Sequence, residues 1–279
     1  MTTALKPPFA YFGGKTNIAE RIAAMLPDHQ HYVEPFAGSL AVLLAKSPSR
    51  LETANDLNGD LMLFWRVLRD QPAELLRACA LTPHSRAELE ASRSIEACDD
   101  LERARRIWVR LSQARTGNLR RTGWRFFIDP AGATVGMPAY LSGYVDRMAA
   151  VAERLHAVSL ENRPALELVE AYGKHEDVLL YVDPPYLAEV RTGRNYAQEM
   201  AGEDEHRQLA EALHGCAATV VLSGYDSPLY EVLYAGWWRH AIDAVTTQGG
   251  TNGRRVEVLW SNRPLHVNVQ DELFVAGAS

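Results

Sequence analysis

The sequence predicts an α/β fold: an open, largely parallel sheet interrupted by an inserted, mostly helical module. Three observations predict it. Short apolar runs that read as strands alternate with amphipathic runs that read as helices, at both ends of the chain. The alternation stops between Gln71 and about Tyr144, where turn residues and arginines replace it. Several strand-like runs end in polar motifs of the kind that face a ligand at the carboxyl edge of such a sheet.

In chain order, His31-Tyr32-Val33-Glu34 reads as a short strand, Pro35 to Ser39 as a turn, and Leu40 to Lys46 as the start of a helix. Leu51 to Ala54 reads as a second strand ending in Asn55-Asp56, and Asn58 or Asp60 caps a helix that runs to Arg69. After the irregular middle, with a turn-rich stretch at Ile128-Asp129-Pro130-Ala131-Gly132, a helical pattern covers about Ala139 to Val158. A strand near Val158 to Glu161, a helix near Ala165 to Tyr172 and the apolar strand Val178 to Val182 follow. Then come a helix from Glu203 to His214, a strand from Ala218 to Leu222, and a closing strand pair near Trp238 to Ile242 and Val256 to Trp260.

Composition bounds the function. With 279 residues and 47% hydrophobic content the chain can bury a full core. Its three cysteines are far apart and form no CxxC, which fits a reducing cytoplasm and argues against a disulfide framework or a zinc knuckle. The N-terminus lacks the apolar core of a signal peptide, and no apolar run is long enough to span a bilayer, so no membrane partner is expected. His29 and His31 form no cluster with ligand spacing, and no metal is expected. The net charge of −6 argues weakly against a polyanionic partner, but its distribution reverses that. Arg103, Arg105, Arg106, Arg110, Arg115, Arg120, Arg121 and Arg125 stand against the single acid Glu102 between Leu101 and Arg125. Such a stripe on an acidic body can bind a polyanion in one place. Arg103, Arg106 and Arg110 also fit one solvated helix face, but the arginines continue past Arg115, where Thr116-Gly117-Asn118 breaks the helix.

The motif with most chemistry is Asp183-Pro184-Pro185-Tyr186, directly after the buried-strand run. The prolines have no N–H to donate and stop the strand. They stiffen the backbone, so the Asp183 carboxylate and the Pro184 carbonyl can act as two acceptors beside the Tyr186 ring. That suits a planar molecule with an exocyclic amino group. Two further motifs lie at strand ends. Gly38, in Glu34-Pro35-Phe36-Ala37-Gly38-Ser39, permits close backbone approach at a helix start. Asp56 can accept both hydroxyl protons of a ribose. The absence of a basic residue in the glycine turn disfavours a pyrophosphate and suits a ligand with a ribose and no phosphate. Phe12-Gly13-Gly14-Lys15-Thr16 is not a phosphate loop, because Phe9 stands where that pattern needs glycine. It reads as a tight turn with a helix start at Thr16 or Asn17, closing over the ligand with Lys15 as a polar contact.

Five segments in this order resemble the Dam-type (D12 class, α group) DNA adenine-N6 methyltransferases: Tyr11-Phe12-Gly13-Gly14-Lys15, Tyr32 to Ser39, Asn55-Asp56-Leu57-Asn58, Tyr181 to Tyr186, and Glu257-Val258-Leu259-Trp260. The resemblance spans the chain and thins between Gln71 and Tyr144. It implies a Rossmann-like methyltransferase sheet of seven mostly parallel strands and S-adenosylmethionine as methyl donor. It also implies a catalytic domain from 1–70 and 145–279, with a target recognition module at 71–144. The cofactor pocket would comprise Tyr11, Lys15, Glu34, Pro35, Phe36, Ala37, Gly38, Ser39, Asp56, Leu57 and Asp183. Asp183, Pro184 and Tyr186 would be catalytic, the first two accepting the N–H bonds of adenine N6 and Tyr186 stacking on the base. The substrate would be double-stranded DNA with the target base flipped out. Arg115, Asn118, Arg120, Arg121 and Arg125 would contact the DNA, and Trp124 would pack on its backbone or in the core. A monomer in solution is expected, with dimerisation on DNA left open by the sequence.

A carboxylate with an ordinary pKa of about 3.9 is too weak to deprotonate the neutral amine. Asp183 is therefore expected to act first as hydrogen-bond acceptor and only late as proton acceptor, with catalysis by positioning and electrostatics. Cytosine-N4 methyltransferases more often carry serine at this position and glutamine methylases asparagine, so Asp183 and the arginine-rich insert favour DNA adenine. The rival of another class is a DNA-binding protein that has kept the fold without catalysis. The intact Asp56 and Asp183 motifs argue against it. The recognition sequence, and whether the enzyme serves restriction-modification, a phage or a host circuit, are not legible.

Overall fold

A computed structural model of the chain describes residues 4–94, 98–128, 135–186, 200, 202–246 and 253–267. The expected turn residues Asp129 to Gly132 lie outside them. The strands are β1 (His31–Glu34), β2 (Leu51–Asn55), β3 (Ser159–Glu161), β4 (Val178–Val182), β5 (Thr219–Tyr225), β6 (Trp238–Thr246) and β7 (Gly253–Ser261). They form one sheet in the order β3-β2-β1-β4-β5-β7-β6. The first five pair in parallel, and β7 runs antiparallel between β5 and β6. This is the seven-strand, mostly parallel sheet that the resemblance implied. The closing pair is longer than the apolar runs alone suggested.

The strand at the centre shows why a parallel sheet forms. All five residues of β4 are buried, as a strand covered on both faces requires. Leu179 and Tyr181 join one core, and Val178, Leu180 and Val182 join the other, following the two-residue period of a strand. The second core is closed by α8 (Ala165–Tyr172), α9 (Glu203–His214) and α10 (Pro228–Leu233), through Leu168, Leu209, Leu213 and Tyr230. The first is closed by α1 (Ala19–Met25), α2 (Ala41–Ala45), α3 (Gly59–Asp70), α4 (Pro72–Ala80), α5 (Arg86–Ala91), α6 (Asp100–Gln113) and α7 (Met137–Leu155).

Asn58, not Asp60, caps α3: its Oδ1 accepts from the Asp60 and Leu61 amides at 3.1 and 3.2 Å. Asp60 is thereby left to pair with Arg103 at 2.5 Å. Helix α1 starts at Ala19, after a turn over Thr16 to Ile18, slightly later than expected.

The segment 71–144 does not have a core of its own. Ile107, Trp108 and Leu111 of α6 belong to the same buried cluster as Phe64, Trp65 and Leu68 of α3. Trp108 Nε1 donates to the Pro8 carbonyl at 2.9 Å, tying the segment to the N-terminus. The expected boundary between 144 and 145 falls inside the continuous helix α7. The arginine stripe also divides into two parts. The arginines of α6 are spent within the fold: Arg103 on Asp60, Arg105 on Glu88 and Glu102, and Arg106 on Glu102. Arg110 reaches Asp60 at 3.6 Å and donates to the Leu119 carbonyl. The later arginines lie on or beside a hairpin-like excursion, residues 114–124, closed by an antiparallel bridge between Ala114 and Trp124.

Candidate active site

The sheet reverses its direction of growth between β1 and β4. From β1 the chain builds outward to β2 and β3, and from β4 it builds to β5. Loops leaving two such neighbours diverge, and a crevice opens at their carboxyl ends. All three strand-end motifs therefore reach one place: Glu34 at the end of β1, Asp56 after β2 and Asp183 after β4. Around them lies a cavity of about 210 Å³. Every residue expected in the cofactor pocket lines it except Pro35, which is buried behind the turn with its carbonyl accepting from Asn55 Nδ2 at 2.9 Å.

The turn after β1 is fixed from several sides. The Ala37 amide donates to the Asn55 carbonyl at 2.7 Å, and the Gly38 amide to Asp56 Oδ2 at 3.0 Å. Trp65 Nε1 donates to the Gly38 carbonyl at 3.1 Å. Gly38 has φ +47°, and a Cβ there would lie 3.0 Å from the Tyr11 ring, so glycine is required twice over. Asp56 Oδ1 accepts from the Asn58 amide at 2.9 Å. Each Asp56 oxygen thus takes one backbone N–H and keeps a lone pair for a hydroxyl donor.

Glu34 is buried, and its Oε1 accepts from the Tyr32 hydroxyl at 2.6 Å and the Leu43 amide at 2.9 Å. Burial, reinforced by Asp183, lifts its carboxyl from 4.5 to about 8.

Lys15 decides the geometry of the centre. Its ammonium donates to both oxygens of Asp183, at 2.8 and 2.7 Å, to the Gly13 carbonyl at 3.0 Å and to the Tyr186 hydroxyl. It also lies 3.7 Å from Glu257. Tyr186 is 5% exposed, its hydroxyl donates to Glu257 Oε1 at 2.9 Å, and its ring rests 4.4 Å from that of Tyr225. Ser223 Oγ donates to the same Glu257 oxygen at 2.6 Å. Burial pushes the Asp183 and Glu257 carboxyls upward against the pull of the Lys15 ammonium.

Lys15 was expected in the cofactor pocket; it lines the cavity, with its charge directed at Asp183. Tyr186 was expected to present a flat face to the base; its ring rests against Tyr225 and its hydroxyl is bound to Glu257. Glu257 and Ser223 were missed as site residues. The signal for Glu257 was an acid inside the apolar run Val256 to Trp260. Met200 and Glu205, which line the cavity, carry no sequence signal.

The hairpin contributes residues of both kinds. Arg115 and Arg121 are exposed, with Arg121 paired to Glu90 at 2.9 Å, and Arg120 and Arg125 are half-buried. Asn118 is buried, and its Oδ1 accepts from the Arg120 amide at 3.2 Å, so it shapes the turn. Trp124 stacks on His84 at 4.3 Å and under the Arg86 guanidinium at 4.5 Å. The hairpin is docked on the glycine-rich N-terminal segment: the Phe12 amide donates to the Gly117 carbonyl at 2.9 Å.

The cavity walls carry four carboxyl groups, Glu34, Asp56, Asp183 and Glu205, and one ammonium, Lys15. This donor set suits a cationic nucleoside and has no place for a pyrophosphate, so the residues present fit S-adenosylmethionine. Fold and site together define a nucleoside-binding α/β enzyme.

Residues 11–248 match the D12 class N6 adenine-specific DNA methyltransferases, and the chain belongs to that family. It is 26% identical to the Type II methyltransferase M1.LlaDCHI of Lactococcus lactis subsp. cremoris, over 92% of this chain and 95% of that protein. It is 28% identical to the Retron Ec67 DNA adenine methylase of Escherichia coli, over 91% and 87%. It is 23% identical to a DNA adenine methylase of Vibrio cholerae, over 92% and 96%. The family's reaction, methyl transfer from S-adenosylmethionine to N6 of adenine in DNA, is the activity of this enzyme. Among the described residues, no helix is long and apolar enough to cross a membrane, and no group of three His, Cys, Asp or Glu side chains is placed to hold a metal.

Proposed function

We propose that Asp183 is the acceptor of the adenine amine in duplex DNA, with Lys15 holding its two oxygens until the base arrives. The observation that carries this reading is the Lys15 ammonium on both Asp183 oxygens, at 2.8 and 2.7 Å, at the edge of the cavity. An amine entering the site needs those same acceptors. Asp183 would take one N–H of N6 and, with the Pro184 carbonyl, draw the nitrogen towards tetrahedral geometry. The nitrogen lone pair would form the new N–C bond as the methyl–sulfur bond of the sulfonium donor breaks, its electron pair staying on sulfur as the neutral thioether, and the N6 proton would pass to Asp183. Its partial withdrawal from water makes the carboxylate a better late acceptor than a free one. S-adenosylmethionine, when bound, supplies an electrophilic methyl group. Asp56 would hold ribose hydroxyls, the 35–39 turn would give close backbone approach, and Phe36 and Leu57 would supply apolar contact.

In this reading the chain divides by role: 1–70 and 145–279 perform the chemistry, and 71–144 recognises the target. Arg115, Arg120, Arg121 and Arg125 would contact phosphates or base edges, while Asn118 shapes the turn that carries them. The target base has to leave the duplex, at a cost of roughly a few kcal/mol. We assign a monomer in solution and a cytoplasmic site of action, the latter in keeping with three cysteines that form no disulfide.

Methylation-sensitive sequencing of DNA from cells expressing the enzyme tests the reading and reports base and context together. N6-methyladenine in one short context is the expected result. Methylated cytosine, or no modified base, would overturn it.

A further inference from the structure

We propose that Glu257 is a positioning residue of methyl transfer: it receives the Lys15 ammonium when the substrate amine takes over the acceptors of Asp183. This rests on the reading of Asp183 given above.

Lys15 is 6% exposed and lines the cavity, so a base that fills this space would leave its charge little water. An ammonium displaced from Asp183 would keep the Gly13 carbonyl and the Tyr186 hydroxyl but lose its nearest counter-charge, and that cost would fall on base entry. Glu257 is 3% exposed and 3.7 Å from the same nitrogen. A shift of about 1 Å, within the reach of a lysine stem, turns that separation into a direct charge-assisted bond.

Glu257 is held ready for this. Tyr186 and Ser223 both donate to its Oε1, at 2.9 and 2.6 Å, and fix the carboxylate's place. The antiparallel course of β7 brings it there: Glu257 pairs with Tyr225, at the same sheet edge as Asp183. Glu257 is not part of the cavity wall, so its effect on the reaction would run through Lys15 and the Tyr186 hydroxyl and not through the methyl donor.

The test is a double-variant cycle. Transfer of tritiated methyl from S-adenosylmethionine to genomic DNA lacking adenine methylation is measured for the unaltered enzyme, Glu257→Gln, Lys15→Met and the double variant. Glu257→Gln keeps an oxygen for Tyr186 and Ser223 but removes the charge. It is expected to lower kcat by about tenfold or more, with calorimetric S-adenosylmethionine affinity and its KM within about threefold of the unaltered enzyme. In the Lys15→Met background the same substitution is expected to change kcat by less than about threefold, because no ammonium needs a partner. Equal losses in both backgrounds would overturn the inference, as would an unchanged kcat in Glu257→Gln or transfer below detection in Lys15→Met. Where Glu257→Gln does not fold, Glu257→Asp takes its place: its loss of kcat must likewise vanish beside Lys15→Met. Failure of the unaltered enzyme to methylate any DNA would overturn the reading of Asp183 itself; activity with additive losses overturns only the role of Glu257.

Discussion

A carboxylate that takes a proton late in a reaction has to be kept from full solvation without losing its charge too early, and Asp183 meets both conditions. Burial raises its carboxyl while Lys15 opposes the rise. Asp183→Ala is expected to lower methyl transfer by at least about 10²-fold with S-adenosylmethionine and DNA still bound, measured by single-turnover transfer and a separate binding assay. Glu34 gives a second prediction at this scale, on stability. Burial raises its carboxyl from 4.5 to about 8. Between those values the folded state binds more protons than the unfolded chain. The stabilisation is therefore complete below the lower value and is lost as pH rises through the upper one. Glu34→Gln mimics the protonated form. It is expected to raise the thermal midpoint relative to the unaltered enzyme at about pH 9 and to change it little at about pH 5, in parallel melts. The acids at Glu34, Asp56 and Asp183 were legible because each ends a strand. The Lys15 pairing was not, since nothing local places residue 15 beside residue 183.

In the proposed reading, the elements that bear on recognition are the hairpin at 114–124 and the glycine-rich segment beneath it. Gly117 has φ +59°, and a Cβ there would lie 2.9 Å from the Ala10 carbonyl oxygen. Gly117→Ala is therefore strained on both counts. It is expected to cost about 1–3 kcal/mol and to weaken DNA binding, checked by denaturant melts and by fluorescence anisotropy with labelled DNA. Arg120→Ala with Arg121→Ala is expected to flatten the salt dependence of DNA binding; an unchanged slope would remove both from the interface. The arginine stripe shows where sequence reading stops at this scale. Eight arginines in one stretch look alike in composition, but the α6 members meet Asp60, Glu88 and Glu102 once the helices pack. Those partners come partly from other helices, so helical spacing alone did not reveal the pairs.

At the scale of the whole molecule, the segment 71–144 and the sheet that carries the site share one hydrophobic core. Trp65 of α3, which also bonds the glycine turn, and Trp108 of α6 belong to the same cluster. Trp108→Ala is expected to destabilise the protein by about 3–5 kcal/mol and to lower S-adenosylmethionine affinity with it, read by melts with and without ligand. The unaltered enzyme is expected to unfold in a single transition that saturating S-adenosylmethionine raises as a whole, by about 2.7 kcal/mol at a hundredfold excess over Kd. Two transitions in calorimetry, with only one moved by ligand, would instead show independent units. The sequence by itself determined the sheet, its order of elements, the three motifs at the strand ends and the chemistry they suit. These follow from local periodicity and from chain-breaking prolines and glycines, with the seven-strand count implied by the family resemblance. Tertiary structure alone decided that Lys15 sits on Asp183, that Glu257 stands behind both, and which arginines are already paired. Those outcomes depend on side chains brought together from opposite ends of the chain, and on burial that sets how strongly their charges act.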